Sequence, residues 1–199
     1  MSARLRPARS DDAEGCAAIY APIVRDTPIS FEIDPPTPAD MGQRIAARPE
    51  LPWLVCEIDG AVAGYACAAP HRARAAYRWS VDVSVYNHAD WRRRGVGSAL
   101  YHALFGILAH QGFHRAYAGI TLPNPASVAL HEGCGFAPLG VYKRVGFKCG
   151  AWHDVGWWDR DLAEPTLPPA PPRPFAELAG DAAVVRALAD GAARLHSLR

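Results

Sequence analysis

The sequence predicts an α/β layered domain, a mixed sheet with helices on its faces. Three observations carry that expectation. Runs rich in Val, Ile, Tyr and Trp alternate with segments whose apolar residues recur at helical spacing. Two apolar runs, Trp53–Ile58 and Ala61–Ala69, meet at Asp59-Gly60, a strong hairpin signal. A Val- and Tyr-rich stretch, Trp79–Tyr86, passes through a polar turn into Arg92-Arg93-Arg94-Gly95-Val96-Gly97-Ser98, where the apolar row Val96, Leu100, Leu104, Ile107 begins.

In chain order, Leu5–Arg9 reads as a first strand. Ser10-Asp11-Asp12 then opens a helix that turns Cys16, Ile19, Tyr20 and Ile23 inward. Thr37-Pro38-Ala39-Asp40 starts a second helix, with Pro at its first position. The hairpin and the central strand follow, with Gly64 marking a bulge or a close backbone approach. After the long helix come a strand at Ala116–Thr121, a break at Leu122–Pro125, a short helix at Ser127–Cys134 and a strand at Phe136–Tyr142. A turn region at Gly146–Gly150 leads to a last strand at Trp152–Asp161. Pro165–Pro174 holds six prolines in ten residues and reads as an extended linker. Beyond it, Val184, Leu188, Ala192 and Leu195 share one face of a helix that packs on the domain, on a partner subunit or on nothing. The expected division is therefore 1–164, a linker at 165–174 and a helical extension at 175–199.

Composition narrows the function. With a net charge of +1 over 199 residues, there is no global field to attract nucleic acid or a membrane surface. No apolar run is long enough to span a bilayer, and the charged start lacks a signal-peptide core. Five scattered cysteines without a Cys-x-x-Cys pair suggest small core residues in a reducing compartment and no metal site. A cytoplasmic location is expected.

Chemistry concentrates around the basic glycine turn. Strand, glycines and helix start make an anion cradle: glycine lets the backbone approach, and the helix N-terminus presents free N–H groups. The Walker pattern needs Lys-Ser or Lys-Thr after the second glycine, and the dinucleotide fingerprint needs a third small residue where Leu100 stands. What remains is Arg-x-x-Gly-x-Gly, at Arg92, Gly95 and Gly97. The plain alternative is a helix start with basic residues on a solvated face.

This loop resembles the pyrophosphate loop of the GCN5-related N-acetyltransferases, which bind acetyl-coenzyme A. The segments 52–70, 72–79, 93–101, 111–113, 122–136 and 146–158, in that order, resemble the phosphinothricin and methionine-sulfone N-acetyltransferase subgroup over about Leu5–Asp161. The resemblance implies a mostly antiparallel central sheet, acetyl-CoA as co-substrate, a small amine as acceptor and a homodimer. Arg92 and Arg94-Gly95-Val96-Gly97-Ser98-Ala99 would grip the pyrophosphate. Val85, Tyr86 and Asn87 would pair with the pantetheine arm, and Asn124 would hydrogen-bond it from the other side.

Asp82 interrupts the apolar run Val81, Val83, Val85, so its burial demands a reason, and a raised pKa suits a general base. The subgroup usually has Glu here; aspartate is one methylene shorter, which favours a bridging water. The alternative is a carboxylate that caps a bulge or pairs an arginine. His131 stands where the subgroup has its matching His, a proton donor to the thiolate or a relay; otherwise it is a surface histidine. Arg72 and Arg74 suit a carboxylate or phosphinate, or simply line a solvated loop. Phe31, Tyr77 and Tyr86 match positions lining the amino-acid pocket. His71, His88 and His196 carry no signal. Of Trp157 and Trp158, on opposite strand faces, one is expected in the core; His153-Asp154 is expected to be structural. The expected activity is acetyl transfer to a phosphinothricin- or methionine-sulfone-like amino acid. Acetylation of a peptide and acetyl-CoA sensing without turnover are the alternatives.

Overall fold

The computed structural model describes residues 2–195, so His196 and the end of the extension lie outside the described residues. Seven strands form one sheet in the order β1-β2-β3-β4-β5-β7-β6: β1 (Ala3–Pro7), β2 (Trp53–Ile58), β3 (Ala61–Pro70), β4 (Ser80–Asn87), β5 (Arg115–Leu122), β6 (Ala137–Lys148) and β7 (Ala151–Asp161). Neighbours are antiparallel except β4 and β5, whose parallel pairing is confined to Ser80–Asp82 against Arg115–Tyr117. Beyond Asp82 and Tyr117 these two strands no longer pair, so the middle of the sheet splits.

Local chemistry explains the elements. α2 (Pro38–Ala46) is capped by Thr37, whose hydroxyl accepts from the Asp40 N–H while the Asp40 carboxylate accepts from the Thr37 N–H. Asp59 and Gly60 both take positive φ, which lets β2 turn tightly into β3. α3 (Val96–Gln111) runs between two left-handed glycines, Gly95 and Gly112. α4 (Pro125–Gly133) begins at Asn124, whose side chain accepts from the Ser127 N–H.

Period-two alternation along β4 sends Val81 and Val83 into the larger core, where Leu100, Leu104 and Ile107 of α3 meet Ala116, Ala118 and Ile120 of β5. The opposite face, under α1 (Ala13–Asp26) and α2, packs Cys16, Ile19, Tyr20 and Met41 against Val55 and Tyr65. Helices thus cover both faces.

Two segments differ from their sequence expectations. β6 continues to Lys148 instead of ending at Tyr142, because a register shift between Tyr142 and Gly146 absorbs extra residues around Arg144, whose φ is 48°. The Asp154 carboxylate holds that bulge by accepting from the Arg144 N–H and from Lys143. The proline-rich segment lies along the domain: Trp79 donates to the Ala170 carbonyl, and the buried Gln111 amide donates to the Arg173 and Glu50 carbonyls. It leads into the short α5 (Phe175–Leu178) and then α6 (Ala182–Ala192), which packs across α3 and β1. Phe175, Leu178 and Val184 enter the larger core. Burial of such side chains contributes roughly 1.5–3 kcal/mol each. The approach is close: a Cβ on Gly191 would stand 2.7 Å from the Ala99 carbonyl oxygen.

Candidate active site

The split between β4 and β5 is the centre of the site. A small cleft of about 60 Å³ there is lined by Val83–Tyr86 on one side, Gly119–Thr121 on the other, and Ile29, Tyr101, Asn124, Ser127 and His131 around them. The β5-facing backbone groups of β4 beyond Asp82 have no strand partner, an open edge inside a sheet that an extended arm can join.

At one end of the split stands the start of α3. Its first intrahelical bond is Ala99 N–H to the Gly95 carbonyl, so the N–H groups of Val96, Gly97 and Ser98 precede the ladder and are available to an anion. Gly95 adopts a φ of 81°, which an L side chain resists. Arg92 and Arg94 are exposed beside this turn, with Arg94 5.0 Å over the Trp91 ring. Val85, Tyr86 and Asn124 line the cleft. The Asn124 oxygen caps α4, which leaves its N–H₂ group for an arm in the cleft. Asn87 is placed differently from the expectation. Its side chain is wedged between Gly64 and Gly97, 2.8 and 2.9 Å from where a Cβ on each would be, and it braces the strand against the helix start.

At the other end, Asp82 occupies the last paired position of β4, opposite Tyr117. It faces away from the larger core and stays one-third exposed at its side chain. Burial pushes its carboxyl above the ordinary value, opposed by a hydrogen bond from His71 and by the Arg72 charge. His71, which the sequence reading passed over, lies one residue beyond β3 and places Nδ1 2.6 Å from Asp82 Oδ1. Its ring stacks on Tyr117 with centroids 4.1 Å apart and is met edge-on by Tyr77 and Trp157. The signal was tertiary: β3–β4 pairing sets Ala69 opposite Asp82, which brings His71 alongside.

His131 is buried at the foot of the cleft. Its Nδ1 lies 2.7 Å from the Ser127 carbonyl oxygen, an acceptor, so Nδ1 carries the hydrogen and Nε2 accepts from the Tyr101 hydroxyl at 2.9 Å. Burial lowers the His131 pKa, so the ring is held neutral. It is therefore no surface histidine, and Tyr101, which the sequence reading left unassigned, is part of the same unit.

Of the expected acceptor residues, Arg72, Arg74 and Tyr77 line one cavity, while Tyr86 lines the small cleft. Arg72 reaches over Trp157, 5.8 Å from the ring, beside His71. Tyr77 stands across the same imidazole. Phe31 packs against Gly146 and near His153, outside the small cleft, on the segment between α1 and α2. The buried Lys148 ammonium pins that segment by donating to the Val24 and Ser30 carbonyls. Arg74 lines a cavity of about 380 Å³ at the start of β4 together with Arg72, Tyr77, Phe113 and Pro171–Pro174. Trp158 is in the core and Trp157 on the site face. His153 bonds the Lys148 carbonyl, a structural role. Among the described residues, no group of three His, Cys, Asp or Glu side chains is arranged to hold a metal ion. No helix among them is long and apolar enough to cross a membrane.

A sheet opened between two parallel strands, with a helix N-terminus at one end and a half-buried carboxylate at the other, defines an acyl-coenzyme A-dependent transferase. The acetyltransferase (GNAT) family model matches residues 17–136, and the chain belongs to that family. It is 40% identical over 177 residues to the phosphinothricin N-acetyltransferase of Streptomyces viridochromogenes, covering 87% of this chain and 95% of that protein. It is 36% identical to the L-methionine sulfoximine/L-methionine sulfone acetyltransferase of Pseudomonas paraeruginosa, covering 83% and 98% of the two chains. The crystal structure of a phosphinothricin acetyltransferase from Sinorhizobium meliloti in complex with acetyl-CoA superposes with a TM-score of 0.80 at 34% identity, covering 88% of this chain and 99% of that one.

Proposed function

We propose that this protein transfers the acetyl group of acetyl-CoA to the amino group of a small, anionic amino acid of the phosphinothricin, methionine sulfoximine or methionine sulfone type. One observation carries the reading: pairing between β4 and β5 stops at Asp82, so a carboxylate stands at the head of a cleft whose other end is the bare N-terminus of α3. The residues fit acetyl-CoA, which supplies the thioester carbonyl carbon when bound. The Val96–Ser98 N–H groups, flanked by Arg92 and Arg94, hold the pyrophosphate. The open edge at Val85–Tyr86 and the Asn124 amide hold the arm.

Asp82, made less acidic by burial, supplies the carboxylate of the base that takes the ammonium proton of the acceptor. His131 enters neutral, so it relays: as the C–N bond forms, Nε2 takes the second proton of the acceptor nitrogen through the Tyr101 hydroxyl and returns it by the same route to the sulfur as the thiolate leaves. Passing through a hydroxyl that accepts as it donates, the relay needs no phenolate. Arg72 pairs the acceptor's anionic group, with Trp157, Tyr77 and Phe31 as apolar walls. The exposed Leu139, Val141, Tyr142, Val145 and Phe147 of the edge strand β6 support a homodimer, testable by analytical ultracentrifugation. The near-neutral charge supports a protein working without nucleic acid or membrane, in the cytoplasm.

The test is coenzyme A release with acetyl-CoA and a panel of methionine sulfone, methionine sulfoximine, phosphinothricin, ordinary amino acids and a lysine peptide. Turnover confined to the first three supports the reading. Turnover of the peptide alone overturns the substrate class, and acetyl-CoA binding without turnover of any amine overturns the enzyme.

A further inference from the structure

We infer that the base of this site is a His71–Asp82 pair, in which His71 Nε2 receives the ammonium proton and Asp82 orients and stabilises the imidazolium. The inference rests on the acetyl-transfer reading. It begins from the 2.6 Å contact between His71 Nδ1 and Asp82 Oδ1. A carboxylate only accepts, so the hydrogen lies on Nδ1 and the lone pair on Nε2. Among the described residues Nε2 has no hydrogen-bond partner, yet it is absent from the buried polar atoms that lack one, so it is open to solvent. The ring is held for that task. Tyr117 of β5 stacks on one face, Tyr77 and Trp157 of β7 meet it edge-on, and the side chain keeps only 12% of its exposure.

The pair also resolves a difficulty of reach. Asp82 is one methylene shorter than glutamate, and the imidazole carries the basic atom beyond the carboxylate. The groups facing His71 are Asp82 from β4, Arg72 beside it in the chain, and the phenols Tyr77 and Tyr117. Asp82 is the anion among them, and it offsets the Arg72 charge when the imidazole becomes cationic. In the step itself, an N–H bond of the acceptor ammonium breaks and an Nε2–H bond forms. The freed nitrogen lone pair then forms the C–N bond to the acetyl carbon as the C–S bond breaks; the sulfur leaves with that electron pair and takes, through the Tyr101–His131 relay, the second proton that the nitrogen gives up as it becomes the amide. Deprotonation of His71 to solvent resets the base.

The experiment compares pH profiles of kcat/KM for wild type, His71→Gln and Asp82→Asn, with imidazole added to His71→Ala. The expected result has three parts. His71→Gln lowers kcat about 100-fold with KM for acetyl-CoA within twofold and loses the acid limb. Asp82→Asn keeps a limb displaced to lower pH. Imidazole restores turnover to His71→Ala. The inference is overturned if His71→Gln retains the limb and its kcat, or if Asp82→Asn alone abolishes the limb. Should the His71 variants fail to fold, the Asp82→Asn profile decides. The Nδ1–H proton resonance of the His71 ring, read by NMR in wild type and Asp82→Asn without acetyl-CoA, reports the pairing separately: a resonance unmoved by the substitution overturns the pair, whereas a wild type inert toward every amine overturns the acetyl-transfer reading.

Discussion

The Tyr101 hydroxyl donates to Nε2 of His131 across 2.9 Å, tying the middle of α3 to the last turn of α4 beneath the cleft. Both groups are buried, and His131 Nδ1 is already committed to the Ser127 carbonyl. Tyr101→Phe therefore strands Nε2 and breaks the relay. Stability is expected to fall by roughly 1–3 kcal/mol and kcat by about 10–100-fold, with KM for acetyl-CoA unchanged. Urea unfolding and steady-state thiol release check both parts.

The same burial predicts a pH dependence of stability. The folded-state pKa of His131 lies below its unfolded value, near 6.5. The unfolded chain thus binds the proton first as pH falls, and stability drops from about pH 6.5 downward until the folded-state pKa is passed. His131→Gln is expected to flatten that part of the curve. Denaturant midpoints between pH 7.5 and 5 measure it.

Gly64 is read from the sequence as a bulge or close approach, and the structure supplies the neighbours. A Cβ there would stand 2.8 Å from Asn87 Oδ1, 2.8 Å from Val96 Cγ1 and 2.9 Å from the Tyr86 carbonyl oxygen. Gly64→Ala is expected to cost about 1–3 kcal/mol and to raise KM for acetyl-CoA severalfold, because Val96 opens the cradle. Thermal melts and coenzyme titrations test this.

Leu178, fully buried in the larger core, separates stability from chemistry. Leu178→Ala is expected to cost about 2–5 kcal/mol while kcat and both KM values at low temperature stay within twofold. A selective loss of acetyl-CoA affinity would contradict this assignment.

Arg72 and Arg74 both line the proline-rich cavity, but Arg72 also reaches over Trp157 and acts on Asp82. Arg72→Ala is expected to raise KM for the amino acid at least tenfold, and Arg74→Ala to change it by less than twofold. Kinetics at saturating acetyl-CoA distinguish them.

What could be read beforehand was local. Thr37-Pro38-Ala39-Asp40 carries its cap within four residues, and Asp59-Gly60 its turn within two, so both appear in the structure as the sequence predicts. The interrupted strand around Asp82 and the Gly95–Gly97 turn marked both ends of the proposed site, because each is a departure from an otherwise regular pattern. His71 and Tyr101 were not legible. Neither departs from its local pattern, and each gains its partner only when distant elements pack. β6 was misjudged at its end for a similar reason, since Asp154 on the neighbouring strand stabilises its bulge.

The clasp of α6 over α3 and β1 has a consequence for how the chain is made. Residues 96–111 emerge from the ribosome long before residues 182–192, yet the outer face of α3 is closed by Val184 and by the backbone at Gly191. The glycine turn at Gly95 is itself approached by the Arg194 carbonyl, 3.1 Å from where a Cβ would be. During synthesis the sheet and its first helices must wait with an apolar flank bare, a contact of high sequence separation that slows closure and invites chaperone binding. The nascent chain closes the outer face of α3 only as its α6 segment arrives.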